Sequence, residues 1–395
     1  MKLLWVKGDF LHPTTKGGQI RTLETLKRLN QWHEVHYAGL NYPPHPEALS
    51  RANEYCTHVY PIAHQVPDRL SPGFVGELVK GLYAQWPVSI SRYRSPAMER
   101  TIEELTRREK FDCIVCDFLS ASQNIPDLGS AVLFQHNVEA VIWKRQAERA
   151  RNPVVRAYFH LQARRMRDYE REVCRRVKSI IAVSEADAAI MRDEYGAQRV
   201  HAVSTGVDLE YFAPQPAESA ADLVFVGSMD WLPNIDGVTW FVREILPLIR
   251  KRRPATTVAV VGRKPGSEIL ELAAADPKIR ITGTVPDVRP FLWASTVSIV
   301  PLRVGGGTRL KIYEAMAAKI PVISTTIGAE GLDYQAGDNI VIADRPQAFA
   351  EHCLALLENE AERLCQAAAA WELVHSRYSW EAVARQFERL LFPGL

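Results

Sequence analysis

Short apolar runs alternate with amphipathic stretches along most of this 395-residue chain. The runs are rich in branched and aromatic residues, which favour strands, whereas the amphipathic stretches have the apolar period of a helix. In the first half this pattern predicts strands at 2–7, 34–40, 113–117, 131–134, 179–183 and 201–203, and helices at 21–31 and 97–110. In the second half it predicts strands at 222–227, 257–262, 279–282, 297–300, 322–325 and 339–341, and helices at 237–252, 266–275, 311–318 and 380–391. Strands that alternate with helices form parallel sheets, so we expect an α/β protein.

Two such series predict two domains. Prolines and small polar residues at 213–221 are typical of a linker. We therefore expect an N-terminal domain at 1–212 and a C-terminal domain at 222–378, and we expect the last segment, 379–395, to pack back on the N-terminal domain. Both domains are predicted to be doubly wound, and such folds bind ligands outside the carboxyl ends of their strands.

Composition argues against several classes of protein. Lys and Arg number 48 and Asp and Glu number 46, so the net charge of +2 argues against a dedicated nucleic-acid binder. No apolar run reaches the roughly 18 residues of a spanning helix. The first residues meet Lys7 and Asp9 at once, which predicts a strand and not a signal peptide. We therefore expect a cytoplasmic protein that is either free or peripheral at the inner face of the membrane.

Neither the cysteines nor the histidines predict a metal site. Of the six cysteines only Cys113 and Cys116 are close in sequence, and they lie in a predicted strand without the second pair that a zinc ribbon needs. We expect all six to be reduced thiols, most of them packed. None of the eleven histidines has a partner at the i, i+4 spacing that places two imidazoles on one helix face. No metal is therefore expected.

The stretch from Lys144 to Lys178 is rich in arginine. One interpretation is a surface that lies against anionic headgroups or guides a phosphorylated acceptor. The other is a solvated helix with internal ion pairs. Its few aromatic residues argue against stacking on nucleic acid.

The segment 301–318 carries the clearest chemical signal. A predicted strand ends in a triple-glycine loop at 305–307, and a predicted helix follows. Glycines let the backbone approach a ligand closely, and a helix N-terminus attracts anions. Arg309 and Lys311 put two cations in the first turn, where they oppose the helix dipole unless an anion binds there. The alternative is a tight turn with a solvated helix start.

Glu314 follows about one turn later, and its carboxylate could accept both hydroxyls of a nucleotide ribose. Two other nucleotide motifs do not match. No Gly-Lys-Ser/Thr follows the glycines, and Leu310 occupies the third glycine position of the dinucleotide fingerprint. The segment therefore argues against a P-loop NTPase and against a nicotinamide dehydrogenase.

Three runs in this region, Glu-Ala-Met-Ala-Ala at 314–318, Pro-Val-Ile-Ser-Thr at 321–325 and Gly-Ala-Glu-Gly-Leu at 328–332, together resemble the signature of the family 4 glycosyltransferases. The resemblance covers nearly the whole chain and is strongest over 222–332. It implies a GT-B fold, in which two doubly wound Rossmann-like domains face a central cleft. It also implies a retaining transferase that takes a sugar from a nucleotide-diphosphate donor, without an essential metal or other cofactor. The donor would lie mainly on the C-terminal domain and the acceptor on the N-terminal domain.

The resemblance also implies roles for single residues. Glu314 matches the glutamate that binds the donor ribose. His136, which follows the predicted strand 131–134, matches a histidine placed against the donor sugar near the reacting centre. Gly17 and Gly18 match a glycine pair that closes over the donor phosphates. The plainer alternatives are a loop cap for His136 and an ordinary turn for the glycines.

Two positions depart from the family pattern. The glutamate expected eight positions before Glu314 is replaced by Gly306, and that glutamate usually contacts the donor sugar. Ser228 stands where many members have an arginine. We infer that Arg309 and Lys311 supply the pyrophosphate charge instead, together with Arg263.

The predicted catalytic residues are therefore His136 and Glu314. The predicted donor-binding set draws on both domains, with Val285 near the base: Gly17, Gly18, Arg263, Val285, Gly306, Gly307, Thr308, Arg309, Lys311 and Glu314.

The expected acceptor is a glycan, a lipid-linked molecule or a small molecule, and the resemblance suggests assembly of bacterial cell-surface polysaccharide. Two other functions stay open. A nucleotide-sugar 2-epimerase uses the same fold but needs paired carboxylates and extra basic groups in the cleft, which the sequence does not show. A non-catalytic scaffold that binds sugar nucleotides is favoured by Gly306.

Overall fold

The computed structural model of the chain describes residues 1–14, 17–65, 86–150, 152–218, 221–304 and 309–394. These residues form two compact units. Unit 1 comprises Met1–Ser204 with Val383–Leu395, and unit 2 comprises Thr205–Ala382. Each unit is built on one parallel sheet with its own hydrophobic core.

Unit 1 contains seven parallel strands. They are β1 (Lys2–Lys7), β2 (Glu34–Asn41), β3 (His58–Ala63), β4 (Cys113–Asp117), β5 (Ala131–Gln135), β6 (Ser179–Ala182) and β7 (Val200–Ala202). Their order in the sheet is β3-β2-β1-β4-β5-β6-β7. Every residue of β5 is buried, because a strand in the middle of a parallel sheet has both faces covered by other elements.

The helices of unit 1 pack around this sheet. They are α1 (Gly17–Trp32), α2 (Pro46–Ser50), α3 (Val88–Ser91), α4 (Pro96–Arg108), α5 (Glu139–Arg149), α6 (Pro153–Arg176) and α7 (Glu185–Ala189). Several begin at sequence signals that stabilise a helix start. Asn152 accepts from the backbone N–H groups of Val154 and Val155, and Pro153 occupies the first position of α6.

Unit 2 contains six parallel strands in the order β10-β9-β8-β11-β12-β13. They are β8 (Ala221–Val226), β9 (Val258–Val261), β10 (Ile279–Ile281), β11 (Ser295–Val300), β12 (Val322–Ser324) and β13 (Val341–Ile342). The later helices of the chain are α8 (Leu232–Trp240), α9 (Leu246–Arg252), α10 (Ser267–Ala275), α11 (Arg289–Trp293), α12 (Leu310–Ala317), α13 (Pro346–Glu358), α14 (Glu360–Arg377) and α15 (Trp380–Leu391). Within the described ranges, no helix has both the length and the apolar character needed to cross a membrane.

Both sheets are doubly wound, as the sequence predicts. In each sheet the chain order reverses at one place, which lies between β1 and β4 in unit 1 and between β8 and β11 in unit 2. Loops after the carboxyl ends of the strands diverge there and leave a crevice in which folds of this class bind ligands. These two places are where functional residues are expected.

The division between the units differs from the predicted domain boundaries at 212 and 378. Val207 and Phe212 lie in the hydrophobic core of unit 2, and the backbone N–H of Val207 donates to the carbonyl of Tyr378 at 2.7 Å. Residues 205–212 therefore belong to unit 2, because Val207 and Phe212 are buried there.

The last residues of the chain group with unit 1. The ring of Phe387 on α15 lies 5.8 Å from that of Trp5 and 4.8 Å from that of Phe134. Glu388, on the same helix, lies 2.8 Å from the Nε2 atom of His33. Aromatic packing and one buried polar contact thus fix α15 to this unit.

Several elements differ from their predictions. The sequence pattern gave no strand at His58–Ala63, and it started the first helix at residue 21, whereas α1 begins at Gly17. The helix predicted at 237–252 begins earlier, at Leu232, and changes to π-helical geometry at Phe241–Ile245. All six cysteines are free thiols, and of these Cys365 alone is exposed.

Candidate functional site

The carboxylate of Asp117 lies fully buried at the carboxyl end of β4 in unit 1. It accepts four hydrogen bonds, from Trp5 Nε1 at 2.8 Å, Lys7 Nζ at 3.0 Å, Thr22 Oγ1 at 2.7 Å and His136 Nε2 at 2.9 Å. Burial alone would raise the pKa of this carboxyl group, but Lys7 and His136 hold it well below its usual range. Asp117 is therefore ionised, and it ties β1, β4, β5 and α1 together.

His136 uses both nitrogens of its imidazole inside this network. Its Nε2–H donates to Asp117, and its Nδ1 lies 2.9 Å from Nη1 of Arg21, which can only donate. The ring is therefore neutral, and burial lowers its pKa to about 3. It also stacks on Phe118, with the ring centroids 3.9 Å apart. The predicted role of His136 against a donor sugar stays a prediction, but its side chain is held in one orientation.

The ring of Phe118 leaves no room for a side chain at Gly18. A Cβ atom at Gly18 would lie 2.7 Å from Phe118 Cζ, whereas a Cβ atom at Gly17 would have nothing within 4 Å. Phe118 itself has a φ of 68°, which is uncommon for a residue with a side chain. The two glycines lie in the first turn of α1, before the predicted start of this helix at residue 21. Their contact with donor phosphates stays a prediction.

The loop after β5 is anchored by a second buried carboxylate, Glu170 on α6. It accepts from the backbone N–H groups of Glu139 at 2.9 Å and Ala140 at 3.2 Å, and from Gln135 Nε2 and Tyr195 Oη, both at 3.0 Å. A carboxylate at the N-terminus of α5 also complements the helix dipole. Glu170 therefore fixes the backbone that carries His136.

A cavity of about 310 Å³ lies beside these residues in unit 1. Burial raises the pKa of Glu139 in its wall to about 7. Among the described residues, no cation contacts this carboxylate, so it is available to a hydroxyl group of a bound molecule. The residues that line the cavity include Lys7, Gly8, Gly18, Tyr93, Glu139 and Met166.

In unit 2 the structure places Lys311 at the switch point of the sheet. Its ammonium group donates to Asn234 Oδ1 at 3.0 Å and lies 4.2 Å from the ring centroid of Phe225. A Cβ atom at Gly227, just after β8, would lie 2.5 Å from it. Burial lowers the pKa of Lys311 to about 7. The glycine after β8 thus leaves the space that the ammonium group occupies.

Hydrogen bonds link Lys311 to three more polar residues. We name the four residues the unit 2 cluster: Ser228, Asn234, Arg263 and Lys311. Nδ2 of Asn234 donates to the carbonyl of Ser228 at 2.8 Å, and Nε of Arg263 donates to Ser228 Oγ at 2.9 Å. Arg263 therefore lies beside the serine that stands where many members of the resembled family have an arginine. The inference that Arg309 and Lys311 supply the pyrophosphate charge, together with Arg263, stays a prediction.

The other predicted residues of unit 2 differ in burial and in the groups they contact. Arg309 is 4% exposed, and its guanidinium group lies 5.0 Å from the ring centroid of Trp231. Burial raises the pKa of Glu314 to about 7, although Lys311 opposes the shift. Val285 is half-buried against the core of the unit, and its contact with a base stays a prediction. Gly306, Gly307 and Thr308 lie outside the described residues.

Sequence reasoning missed Asp117, Glu170 and Asn234 as members of these groups. Asp117 and Lys7 could have been found from sequence, because each is a charged residue at the carboxyl end of a predicted parallel strand. No local signal marks Asn234 or Glu170, because each meets its partners only in the folded chain.

Comparison with known proteins decides the family. A model described as Glycosyltransferase Family 4 matches residues 15–211, and one described as Glycosyl transferases group 1 matches residues 220–359. The chain belongs to glycosyltransferase family 4. It is a hexosyltransferase with a GT-B fold, as the sequence motifs suggested.

The relatives of this glycosyltransferase are distant. An uncharacterised 44.6 kDa protein in the cps region of Klebsiella pneumoniae is 22% identical, over 91% of each chain. A D-inositol 3-phosphate glycosyltransferase of Frankia alni is 31% identical over 55% of this chain, and the match spans only 59% of that relative. The solved structure of Anabaena Alr3699/HepE in complex with UDP-glucose has a TM-score of 0.64 and 12% identity, and the alignment covers 99% of each chain. The last likeness is one of fold.

Replacing Asp117 tests the network of unit 1. Asp117→Ala leaves the ammonium group of Lys7, which is 1% exposed, without its closest carboxylate. We expect the free energy of unfolding to fall by ~3–5 kcal/mol, as for other broken buried ion pairs. Denaturation in urea measures the change. Asp168→Ala on the exposed face of α6 is the matched control, with an expected effect within about 0.5 kcal/mol. Equal effects of the two variants would contradict the assigned role.

The protonation state of His136 gives a test that depends on pH. Because the folded pKa of about 3 lies below the ordinary value of 6.5, the stabilisation is present above 6.5 and is lost as the pH falls towards 3. NMR of ¹⁵N-histidine-labelled protein at pH 5 should show one ring, absent from His136→Gln, that is neutral and protonated on Nε2. A doubly protonated ring at that pH would show that the network is arranged differently.

Proposed function

We propose that this enzyme transfers a hexosyl group, with retention of anomeric configuration, from a nucleotide-diphosphate sugar to a hydroxyl group of a glycan, lipid-linked or small-molecule acceptor. The proposal includes no essential metal, and it places the product in cell-surface polysaccharide. The observation that carries it is the unit 2 cluster, in which Lys311 has a neutral hydrogen-bond acceptor and, among the described residues, no carboxylate within ion-pair distance.

The unit 2 cluster suits a diphosphate leaving group. The N-terminus of α12 offers backbone N–H groups, and Lys311 in its first turn adds positive charge. Arg263 is linked to Lys311 through Ser228 and Asn234. A bound diphosphate would favour the charged form of Lys311 and so oppose the effect of burial on its pKa. Because these charges are already in place before the bond breaks, they stabilise the departing diphosphate without further reorganisation.

Glu314 is suited to the ribose of the donor. It lies on the same helix as Lys311, one turn further from the N-terminus. Its burial raises the cost of leaving the carboxylate without a partner, and two neighbouring hydroxyls would satisfy both oxygens. This supports ribose binding over a role for Glu314 in proton transfer.

Unit 1 supports the acceptor part of the proposal. The imidazole of His136 is already engaged on both nitrogens, so it is poorly placed to act as a base. A retaining transfer does not need a protein base if the leaving phosphate accepts the acceptor proton on the same face of the sugar. The cavity with Glu139 in its wall has room for a sugar-sized acceptor.

We also propose that the hairpin of α5 and α6 contacts an anionic membrane surface. Val154 and Val155, at the start of α6, are 78% and 42% exposed. Arg145 and Arg156 lie near them in sequence and are exposed as well. Exposed apolar residues next to arginines are the combination that binds anionic lipid surfaces.

Nucleotide binding tests the donor site. We expect the thermal midpoint to rise with one of UDP, GDP and ADP, and the rise to be the same with EDTA. Lys311→Met should weaken binding of that diphosphate by roughly ten- to a hundredfold, the worth of a hydrogen bond to a charged group, and leave the corresponding nucleoside unaffected. Lys251→Met, an exposed lysine on α9, is the control.

The outcomes of the binding and transfer measurements distinguish the proposed transferase from a scaffold that only binds sugar nucleotides. Equal loss for diphosphate and nucleoside would contradict the role of Lys311, and no rise with any diphosphate would contradict the donor site. Binding without transfer to any acceptor of a glycan panel would favour the scaffold.

Sedimentation with lipid vesicles tests the membrane surface. The protein should sediment with vesicles that contain phosphatidylglycerol and less with vesicles of phosphatidylcholine alone. Val154→Asp should weaken binding on the order of tenfold, since a buried valine contributes ~1.5 kcal/mol or more. Leu364→Asp changes another exposed apolar residue, on α14, and should have no effect. If both variants bind as the unmodified protein does, the hairpin is not the contact surface.

A further inference from the structure

The amino ends of two neighbouring strands bring together a group of ligating side chains that the glycosyl transfer does not use. Glu34 and His36 are two residues apart on β2 and so point to the same face of the sheet. His58, at the start of β3, is the register partner of His36. The sequence spacing hides this group, because it forms only when the two parallel strands pair.

The atoms of this group are spaced as ligands of a tetrahedral metal ion. Glu34 Oε1 lies 3.0 Å from His36 Nε2 and 3.3 Å from His58 Nε2. Glu109 Oε2, just after α4, lies 3.7 Å from His36 Nε2. In a tetrahedral zinc site with bonds of 2.0–2.1 Å, the ligand atoms are about 3.4 Å apart, which lies within the range of these separations.

The surroundings orient His36 as they do the histidines of known zinc sites. His36 is 1% exposed, and its Nδ1 lies 3.0 Å from the hydroxyl of Tyr60, which directs Nε2 towards the carboxylates. The ring of Phe111 meets His36 edge-on at 5.0 Å and closes one side of the group. The rings of His36 and His58 lie 4.4 Å apart.

Lys2 shows that the two carboxylates accept a cation at this place. Its Nζ lies 2.8 Å from Glu109 Oε2 and 3.4 Å from Glu34 Oε1. The Lys2 side chain is 39% exposed, so it can move into solvent when another cation takes its place. A divalent ion offers what the ammonium group cannot, which is direct bonds to the imidazole nitrogens.

We propose that Glu34, His36 and His58 form a zinc site that clips the edge strand β3 to β2, with the carboxylate of Glu109 beside it at the end of α4. Two imidazoles and one carboxylate are a donor set that suits Zn²⁺. The site lies at the amino ends of the strands, at the opposite end of the sheet from Lys7 and Asp117. Its role is therefore structural, and it is independent of the proposed metal-free transfer.

Metal titration of the untagged full chain tests the site. After treatment with EDTA and its removal, the protein should bind one equivalent of Zn²⁺ in competition with a chromogenic chelator, and Zn²⁺ should raise its thermal midpoint. Co²⁺ in the same site should give the visible spectrum of a tetrahedral complex.

Variants distinguish a built site from adventitious binding. His58→Ala removes a half-exposed ligand and should weaken Zn²⁺ binding by more than roughly tenfold, since losing even a residue that only orients a ligand costs ten- to a hundredfold. His201→Ala, an exposed histidine on β7, should bind as the unmodified protein does. Lys2→Met should tighten binding, because it removes the competing ammonium group.

Two results would overturn the proposal. One is equal affinity of His58→Ala and the unmodified protein for Zn²⁺. The other is no saturable binding by either the unmodified protein or Lys2→Met. In the titration with nucleoside diphosphates, the thermal midpoints with and without the diphosphate are compared at the same EDTA concentration. Failure of the metal site therefore leaves the test of the donor site intact.

Discussion

The buried ion pair between Lys7 and Asp117 is the interaction on which the carboxyl edge of unit 1 depends. Removing both charges from water costs several kcal/mol, and their attraction repays this only if the remaining polar atoms are satisfied. Trp5, Thr22 and His136 complete the hydrogen bonds of Asp117. The pair therefore requires that β1, β4, β5 and α1 keep one relative arrangement. The orientation of the His136 ring follows from that requirement and does not depend on a ligand.

Lys311, the buried lysine of the unit 2 cluster, differs from Lys7 because its hydrogen-bond acceptor is not a carboxylate. The acceptor of Lys311 is the neutral amide oxygen of Asn234, and Glu314 raises its pKa only as a more distant charge. Burial consequently keeps the ammonium group close to losing its proton. An anion that enters would restore the charge, so part of the binding free energy of a diphosphate comes from a defect of the ligand-free unit. A lysine paired with a carboxylate, as Lys7 is, could not offer this.

The inner strands could be predicted from sequence, and the edge strand β3 could not. Strands buried on both faces, such as β1, read as continuous apolar runs. β3 mixes exposed and buried positions and contains Pro61, as edge strands do, and so it has no clear period. The start of α1 was missed because glycine disfavours helices, whereas Phe118 leaves no room for a side chain at Gly18.

The residues of the candidate site also fall into those that sequence could predict and those that it could not. Arg309, Lys311 and Glu314 are near neighbours in one motif, so their chemistry could be predicted without a fold. Asn234 meets Lys311 across 77 positions, and Trp5 meets Asp117 across 112. Contacts of this kind depend on which strands are neighbours, and periodicity does not determine that. The domain boundary failed for a related reason, since only burial shows that Val207 and Phe212 pack in the core of unit 2.

The two ends of the unit 1 sheet meet different physical demands. Around Asp117, at the carboxyl end, burial excludes water, so the charges of Lys7 and Asp117 need partners from the chain itself. At the amino end, β3 has β2 as its one strand neighbour among the described residues, and edge strands have one side without backbone pairing. Side chains that cross from β3 to β2 add a constraint that the backbone cannot supply there. Glu34, His36 and His58 cross at the first positions of these strands, where fraying would begin. A cation held between them, whether Lys2 or a metal ion, therefore acts where the sheet is weakest and leaves the groups around Asp117 untouched.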